Sequence, residues 1–173
     1  MRLLPQLVKD MKNGDFSGIG TWALYGRMNR IGAMSAAMDM ASGISPERKK
    51  RVLAQSKNTL LEGAINFPYW SEQASLGVPD LGDAFRRPVQ SELPVLCISG
   101  TLDGRTPVSN AEEVLETLPN GQHIIIEGAG HSDPLFLSSP KILENMLLFL
   151  KGKSLKDKYI KLAPIEFVIK PEE

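Results

Sequence analysis

Pro94-Val95-Leu96-Cys97-Ile98-Ser99, with Gly100 to Gly104 behind it, and Gln122-His123-Ile124-Ile125-Ile126-Glu127, with Gly128-Ala129-Gly130-His131 behind it, together decide the fold. Both runs are apolar, β-prone and bounded by turn residues, which is how strands covered on both faces read. Between them Thr106-Pro107 looks like an N-cap and a first-turn proline, with Glu112 and Glu113 early in the helix that follows. Val114, Leu115 and Leu118 point inward from that helix, and Pro119-Asn120-Gly121 ends it. Pro140 to Leu150 reads as a closing helix with Ile142, Leu143, Met146, Leu147 and Leu150 inward. Strand, helix, strand, helix with unbroken apolar strands predicts an α/β fold, a βαβα unit with a parallel sheet and a right-handed crossover.

Upstream the character is helical. Leu3, Leu4, Leu7, Val8 and Met11 recur at helical spacing until Asn13-Gly14. Thr21 to about Ala41 is an Ala- and Met-rich stretch carrying Met28, Met34, Met38 and Met40, suited to close packing against other helices. After the break Ser42-Gly43-Ile44, Ser45 is a natural N-cap and Pro46 fits the first helical position. That helix is expected to run through Glu62, with Val52, Leu53, Leu60 and Leu61 inward, and to end at Gly63. Asn66-Phe67-Pro68 to Gly82 is rich in breakers. Three segments follow: a helical block over 1–90, an α/β block over 91–152, and a charged, peripheral tail over 153–173 in which Ile165 to Ile169 is a candidate edge strand.

Composition narrows the function. The chain has 173 residues, with 20 Lys+Arg against 20 Asp+Glu. A balanced chain lacks the electrostatic footprint of a nucleic-acid binder or a polybasic membrane anchor. No apolar run approaches the ~18 residues of a membrane span, so neither nucleic acid nor a membrane is an expected partner. Cys97 is the single cysteine, which rules out an internal disulfide and reads as a small buried hydrophobe. Met1-Arg2-Leu3-Leu4-Pro5 lacks the features of a signal peptide, so the chain as given reads as cytoplasmic.

Chemistry gathers at the carboxyl ends of parallel strands. Asp103 lies just past the first strand and His131 just past the second, each among glycines that permit tight turns. Either residue alone is ordinary turn or core content; in this order and one crossover apart, the two can meet. An Asp bound to one imidazole nitrogen fixes the tautomer and leaves the other nitrogen as a general base. His123, the other histidine, sits at a strand start and reads as a solvated or packed residue. Two histidines without H-E-x-x-H or a carboxylate cluster make a poor ligand set, so no metal is expected. Gly128-Ala129-Gly130-His131 does not continue into G-x-G-x-x-G, and no cofactor is expected.

Ile98-Ser99-Gly100-Thr101-Leu102-Asp103-Gly104-Arg105-Thr106-Pro107, followed by Gly128-Ala129-Gly130-His131-Ser132, resembles the closing part of an α/β-hydrolase, in particular the tripeptidyl-aminopeptidase-like and proline-iminopeptidase-like branch. The resemblance runs from about Ser91 to Gly152 and is looser over the helical block. It implies that Asp103 and His131 are the acid and base of a Ser-Asp-His triad. It implies further that the helical block is the cap such enzymes place over the pocket, and that Asp39 there binds a peptide's free N-terminal amine. Arg86-Arg87, before Pro88, reads as a solvated pair rather than a clamp for a substrate carboxylate.

The nucleophile of this fold belongs in G-x-S-x-G, ahead of the acid and the histidine. No serine of the chain has glycine at both −2 and +2; Ser35, with Gly32 before it, lies in a helical pattern, and Ser132 directly follows His131. Compact α/β domains often run roughly 200–250 residues, longer than this chain. The expectation is therefore the C-terminal portion of a serine hydrolase acting on peptides, amides or esters. It would be inactive alone and completed by an upstream segment or partner chain that carries the nucleophile. The alternative is a non-catalytic binding or interaction module derived from a half-hydrolase.

Overall fold

The computed structural model describes residues 2–21, 33–59, 62–63, 77–132 and 134–169. The residues group into two compact units, one of 1–14 with 88–173 and the other of 15–87.

The first unit holds the sheet. β1 (Val95–Gly100) pairs in parallel with β2 (Gly121–Glu127), with Val95 opposite Gly121 and Gly100 opposite Ile126. β2 pairs in parallel with β3 (Tyr159–Lys161), so among the described residues the order is β1-β2-β3 and β1 is an edge strand. The mixed α/β class and the parallel pairing are as the apolar runs predict. The third strand is not at 165–169. Phe167, Val168 and Ile169 are exposed, and Val168 N–H instead donates to the Arg2 carbonyl (3.0 Å). The strand that joins the sheet has one inward residue, Ile160, 3% exposed.

Alternation across the pleat puts Ile124, Ile126 and Ile160 on one face. There they meet Ala129, Leu135 and Ile142, with Leu96, Ile98, Met146, Leu155 and Leu162 packed around them. Each fully buried isoleucine contributes roughly 1.5–3 kcal/mol over its exposed state. Ile142 comes from α7 (Pro140–Leu150), whose inward stripe differs from the expected one. Leu143, Leu147 and Leu150 face solvent, while Ile142 and Asn145 are fully buried. Asn145 belongs inside because both polar atoms of its side chain are bonded. Its Nδ2 donates to the Lys141 carbonyl (2.8 Å), and its Oδ1 accepts from Lys156 N–H (2.8 Å) and Asp157 N–H (3.1 Å). One buried amide thus ties α7 to the approach of β3, and no buried side-chain nitrogen or oxygen among the described residues lacks a partner.

The crossover helix α5 (Val108–Leu115) packs on β1 and β2. It starts after Pro107, which is extended, and no side chain caps it, so the expected Thr106 cap is absent. Leu118 is buried as expected, Val114 is half exposed, and Leu115 sits where a β-carbon on Gly121 would go. A short helix, α6 (Pro134–Leu137), precedes α7. The N-terminal helix α1 (Leu4–Lys12) forms where the helical spacing predicts it and buries Gln6, while Leu3, Leu4 and Val8 are exposed.

The second unit is helical where described. α2 (Ala33–Ser42) buries Met40, with Met34 and Met38 exposed. α3 (Pro46–Ser56) begins with Ser45 Oγ accepting from Arg48 N–H (3.3 Å), the cap expected there. It ends at Ser56 rather than at Glu62, buries no residue fully, and leaves Leu53 exposed. α4 (Gly82–Phe85) is a single turn. Met28, Leu60, Leu61 and the stretch from Asn66 to Ser75 lie outside the described residues. Arg86 is not a solvated residue: its guanidinium binds Asp80 (2.6 Å), Asp83 (3.0 Å) and the Ser42 carbonyl (2.9 Å).

Among the described residues no helix is long and apolar enough to cross a membrane.

Candidate active site

Asp103 follows β1 and His131 follows β2 at the same end of the sheet, and three hydrogen bonds fasten their turns together. Thr101 N–H donates to the Ile126 carbonyl (3.1 Å) and Leu102 N–H to the Ala129 carbonyl (2.9 Å). Gly128 N–H donates back to Thr101 Oγ1 (3.0 Å). The approach needs Gly100, where a β-carbon would overlap the Ala129 carbonyl, and Gly128, whose φ of 87° is in the left-handed region that glycine takes without penalty.

The result is contact. His131 Nδ1 is 2.9 Å from Asp103 Oδ2, with 40% of the imidazole exposed and 1% of the Asp103 side chain. The carboxylate is saturated with donors. Oδ1 accepts from Arg105 N–H and Thr106 N–H, both at 2.9 Å, and Oδ2 accepts from Thr106 Oγ1 at 2.6 Å. Burial alone would raise the Asp103 pKa. The Thr106 hydroxyl and amide, His131 and the Arg105 amide outweigh it and hold the carboxyl well below the usual carboxylate range. Asp103 is therefore an anion at neutral pH, aimed at one imidazole nitrogen.

Thr106 belongs to this site, although its sequence context reads as a helix cap. Its Oγ1 also lies 3.1 Å from His131 Nδ1. The signal was present: Asp103 with residues two and three further on is the spacing at which an Asp side chain accepts backbone N–H groups in a turn. Ser132, next to His131, holds a φ of 144°, a strained value for a residue with a β-carbon.

His123 is elsewhere, on the strand itself. Its Nε2 lies 2.9 Å from Ser99 Oγ, and burial lowers its pKa against the opposing pull of Glu112. Burial likewise raises the Cys97 thiol. Asp39 is exposed on α2, in the second compact unit. Clefts of about 580 and about 450 Å³ lie toward the amino ends of the strands, lined by residues such as Pro94, Gln122 and Phe149 in one and Gln90, Glu92 and Glu116 in the other. Among the described residues no three His, Cys, Asp or Glu side chains cluster as metal ligands.

An exposed imidazole thus rests on a buried carboxylate that protein donors solvate, both at the carboxyl ends of adjacent parallel strands, and its second ring nitrogen is free of that carboxylate. No curated protein and no solved structure matches the chain. A family model does: residues 70–154 match that of the TAP-like proteins. Over those residues, which include Asp103, Thr106 and His131, the chain belongs to the TAP-like branch of the α/β-hydrolase superfamily.

Proposed function

We propose that Asp103 and His131 are the acid and base of a serine hydrolase that cleaves peptide, amide or ester bonds, with the nucleophilic serine supplied by an upstream segment or partner chain. The observation that carries this is the 2.9 Å contact between His131 Nδ1 and Asp103 Oδ2, with the imidazole open to solvent. Asp103 occupies Nδ1, so Nε2 is the nitrogen that accepts the serine proton as Oγ attacks the carbonyl carbon. The anionic carboxylate stabilises the imidazolium formed in that step. The same Nε2–H then protonates the leaving amine or alcohol as the acyl-enzyme forms, and a water molecule repeats the cycle to release the acid.

Two features support a nucleophile from outside this stretch. No serine here stands in G-x-S-x-G. Among the described residues β1 is an edge strand of a three-stranded sheet, so further strands can add beside the one that leads to Asp103. The helical second unit would serve as a cap, with Asp39 as a site for a peptide's free amine.

A fluorophosphonate probe tests the proposal. The purified 173-residue chain is expected to remain unlabelled. Expressed together with the segment encoded upstream, it is expected to support labelling of a G-x-S-x-G serine there, and His131→Ala should slow that labelling by about 10³-fold or more. A probe adduct at a mappable serine of the chain alone, or labelling indifferent to His131, would refute it. A stable chain that never supports labelling in either setting would instead be a binding module.

A further inference from the structure

We propose that Thr106 is a positioning residue that grips both oxygens of the Asp103 carboxylate, and so fixes the angle and distance at which Oδ2 meets His131 Nδ1. The inference rests on the reading of Asp103 and His131 as an acid–base pair, and it concerns a residue that touches neither substrate nor nucleophile.

The hydroxyl of Thr106 has one proton and two neighbours. Asp103 Oδ2 is 2.6 Å away and His131 Nδ1 is 3.1 Å away. The shorter distance lies in the range of a charge-assisted O–H···O⁻ bond, so the proton goes to the carboxylate. The hydroxyl oxygen then turns a lone pair toward the imidazole. Nδ1 is thereby flanked by two acceptors, Oδ2 at 2.9 Å and Oγ1 at 3.1 Å. A ring nitrogen in that position must carry its proton, donating it to both in a three-centre bond. The opposite tautomer would set the Nδ1 lone pair against an anionic oxygen at 2.9 Å, with only the threonine proton to separate them.

The same residue also governs the other carboxylate oxygen. Thr106 N–H and Arg105 N–H both donate to Oδ1, so the carboxylate cannot rotate to offer that oxygen to the ring. Backbone and side chain of Thr106 grip the two oxygens at once. Its β-branched side chain restricts χ1, which sets the hydroxyl in place at little entropic cost. Serine keeps the hydroxyl with a freer rotor, while valine keeps the shape and loses the hydroxyl.

Imidazole ¹⁵N shifts of histidine-labelled chain, recorded where the ring is neutral, report which nitrogen bears the proton and require no activity. In the unaltered chain His131 is expected as Nδ1–H alone, with a slowly exchanging ring proton that shows a nuclear Overhauser contact to the Thr106 side chain. Thr106→Val keeps that tautomer, because Oδ2 still faces Nδ1, but it frees Oδ2 to move and should speed exchange of the ring proton at least about tenfold; Thr106→Ser should restore slow exchange. In the completed hydrolase, Thr106→Val should lower kcat about 10- to 100-fold with KM little changed. A ring proton that exchanges as slowly in Thr106→Val as in the parent would overturn the proposal, as would an Nε2–H ring in the unaltered chain, a result available even if the valine variant failed to fold. Labelling indifferent to His131 would sink the hydrolase reading while leaving the ring-proton result standing, so the two failures are distinguishable.

Discussion

Gly100→Ala tests the fastening on which the Asp103–His131 contact depends. The added β-carbon would stand 2.8 Å from the Ala129 carbonyl carbon, closer still to its oxygen, and 3.1 Å from Leu135 Cδ2. Carbon atoms in ordinary contact are about 3.5–4.0 Å apart, so the two turns must separate by roughly 1 Å. Leu135 is a side chain and can turn aside; the Ala129 carbonyl is backbone and cannot. Overpacking of this kind costs about 1–3 kcal/mol. Moving the Ala129 carbonyl by that distance also breaks its 2.9 Å bond from Leu102 N–H, a further loss of about 1 kcal/mol. The sum is a destabilisation of about 2–4 kcal/mol, measured as a lower urea midpoint at unchanged slope. A second consequence follows at the site. His131 lies just beyond Ala129 and Asp103 just beyond Leu102, so the same separation lengthens the Nδ1–Oδ2 contact past hydrogen-bond reach and exposes the ring proton to rapid exchange. Stability within about 0.5 kcal/mol of the parent, together with a protected ring proton, would refute the close approach of the two turns.

Asn145→Ala leaves the Lys156 and Asp157 amides without their acceptor and opens space beside Ile142, and should cost about 2–4 kcal/mol; hydrogen exchange at those two amides should accelerate with it, and unchanged protection would show that β3 is held by other contacts. Burial keeps the His123 pKa below its ordinary value, so the unfolded chain binds a proton at higher pH than the fold. That part of the stability is complete above about pH 6.5 and is lost as the pH falls below it. Between about pH 7 and about pH 5 the urea midpoint of His123→Gln should therefore decline less than that of the parent, and parallel declines would remove His123 from the account. Ser132→Gly relieves a φ of 144° and should stabilise by about 0.5–2 kcal/mol after its own entropic cost, whereas Ser132→Ala should not; a thermal scan in which glycine gains nothing over alanine would show that the position is unstrained.

The parts of the fold that were legible are those with a run of apolar side chains long enough to read. β1 and β2 carry Val95 to Ile98 and Ile124 to Ile126, and the parallel pairing follows from the crossover between them, although the cover on both faces that such runs imply is incomplete: β2 buries only Ile124 and Ile126, and Val95 to Ile98 are half-buried. β3 was illegible for the converse reason. It is three residues long with one inward side chain, Ile160 between Tyr159 and Lys161, so it has no period to detect. The more apolar run at 165–169 drew the assignment although its side chains are exposed. α7 is apolar on two faces, and periodicity alone placed Ile142 and Met146 in the core correctly but put Leu143, Leu147 and Leu150 there as well. The deciding residue, Asn145, votes for solvent in any hydrophobic pattern, yet it is buried because three backbone groups satisfy it. Pattern reading sees transfer free energy; it does not see hydrogen bonds made to residues far along the chain.

The same distinction explains Thr106. Thr-Pro before an amphipathic run is good local evidence for an N-cap, and such a cap is worth about 1 kcal/mol. The chain forgoes it. Pro107 takes the cap position without a side-chain bond, and α5 begins at Val108 with its first amides uncapped by any side chain. The hydroxyl that would have capped the helix is committed instead to the Asp103 carboxylate at 2.6 Å. A local preference set aside in favour of a buried anion marks a place where the fold serves something other than its own stability. Ser132, strained on the other side of His131, is a second such place. The two departures flank the one imidazole in the first unit that is exposed to solvent and bonded to a buried carboxylate. Helix stability accounts for neither, whereas the proposed acid–base role of Asp103 and His131 would account for both.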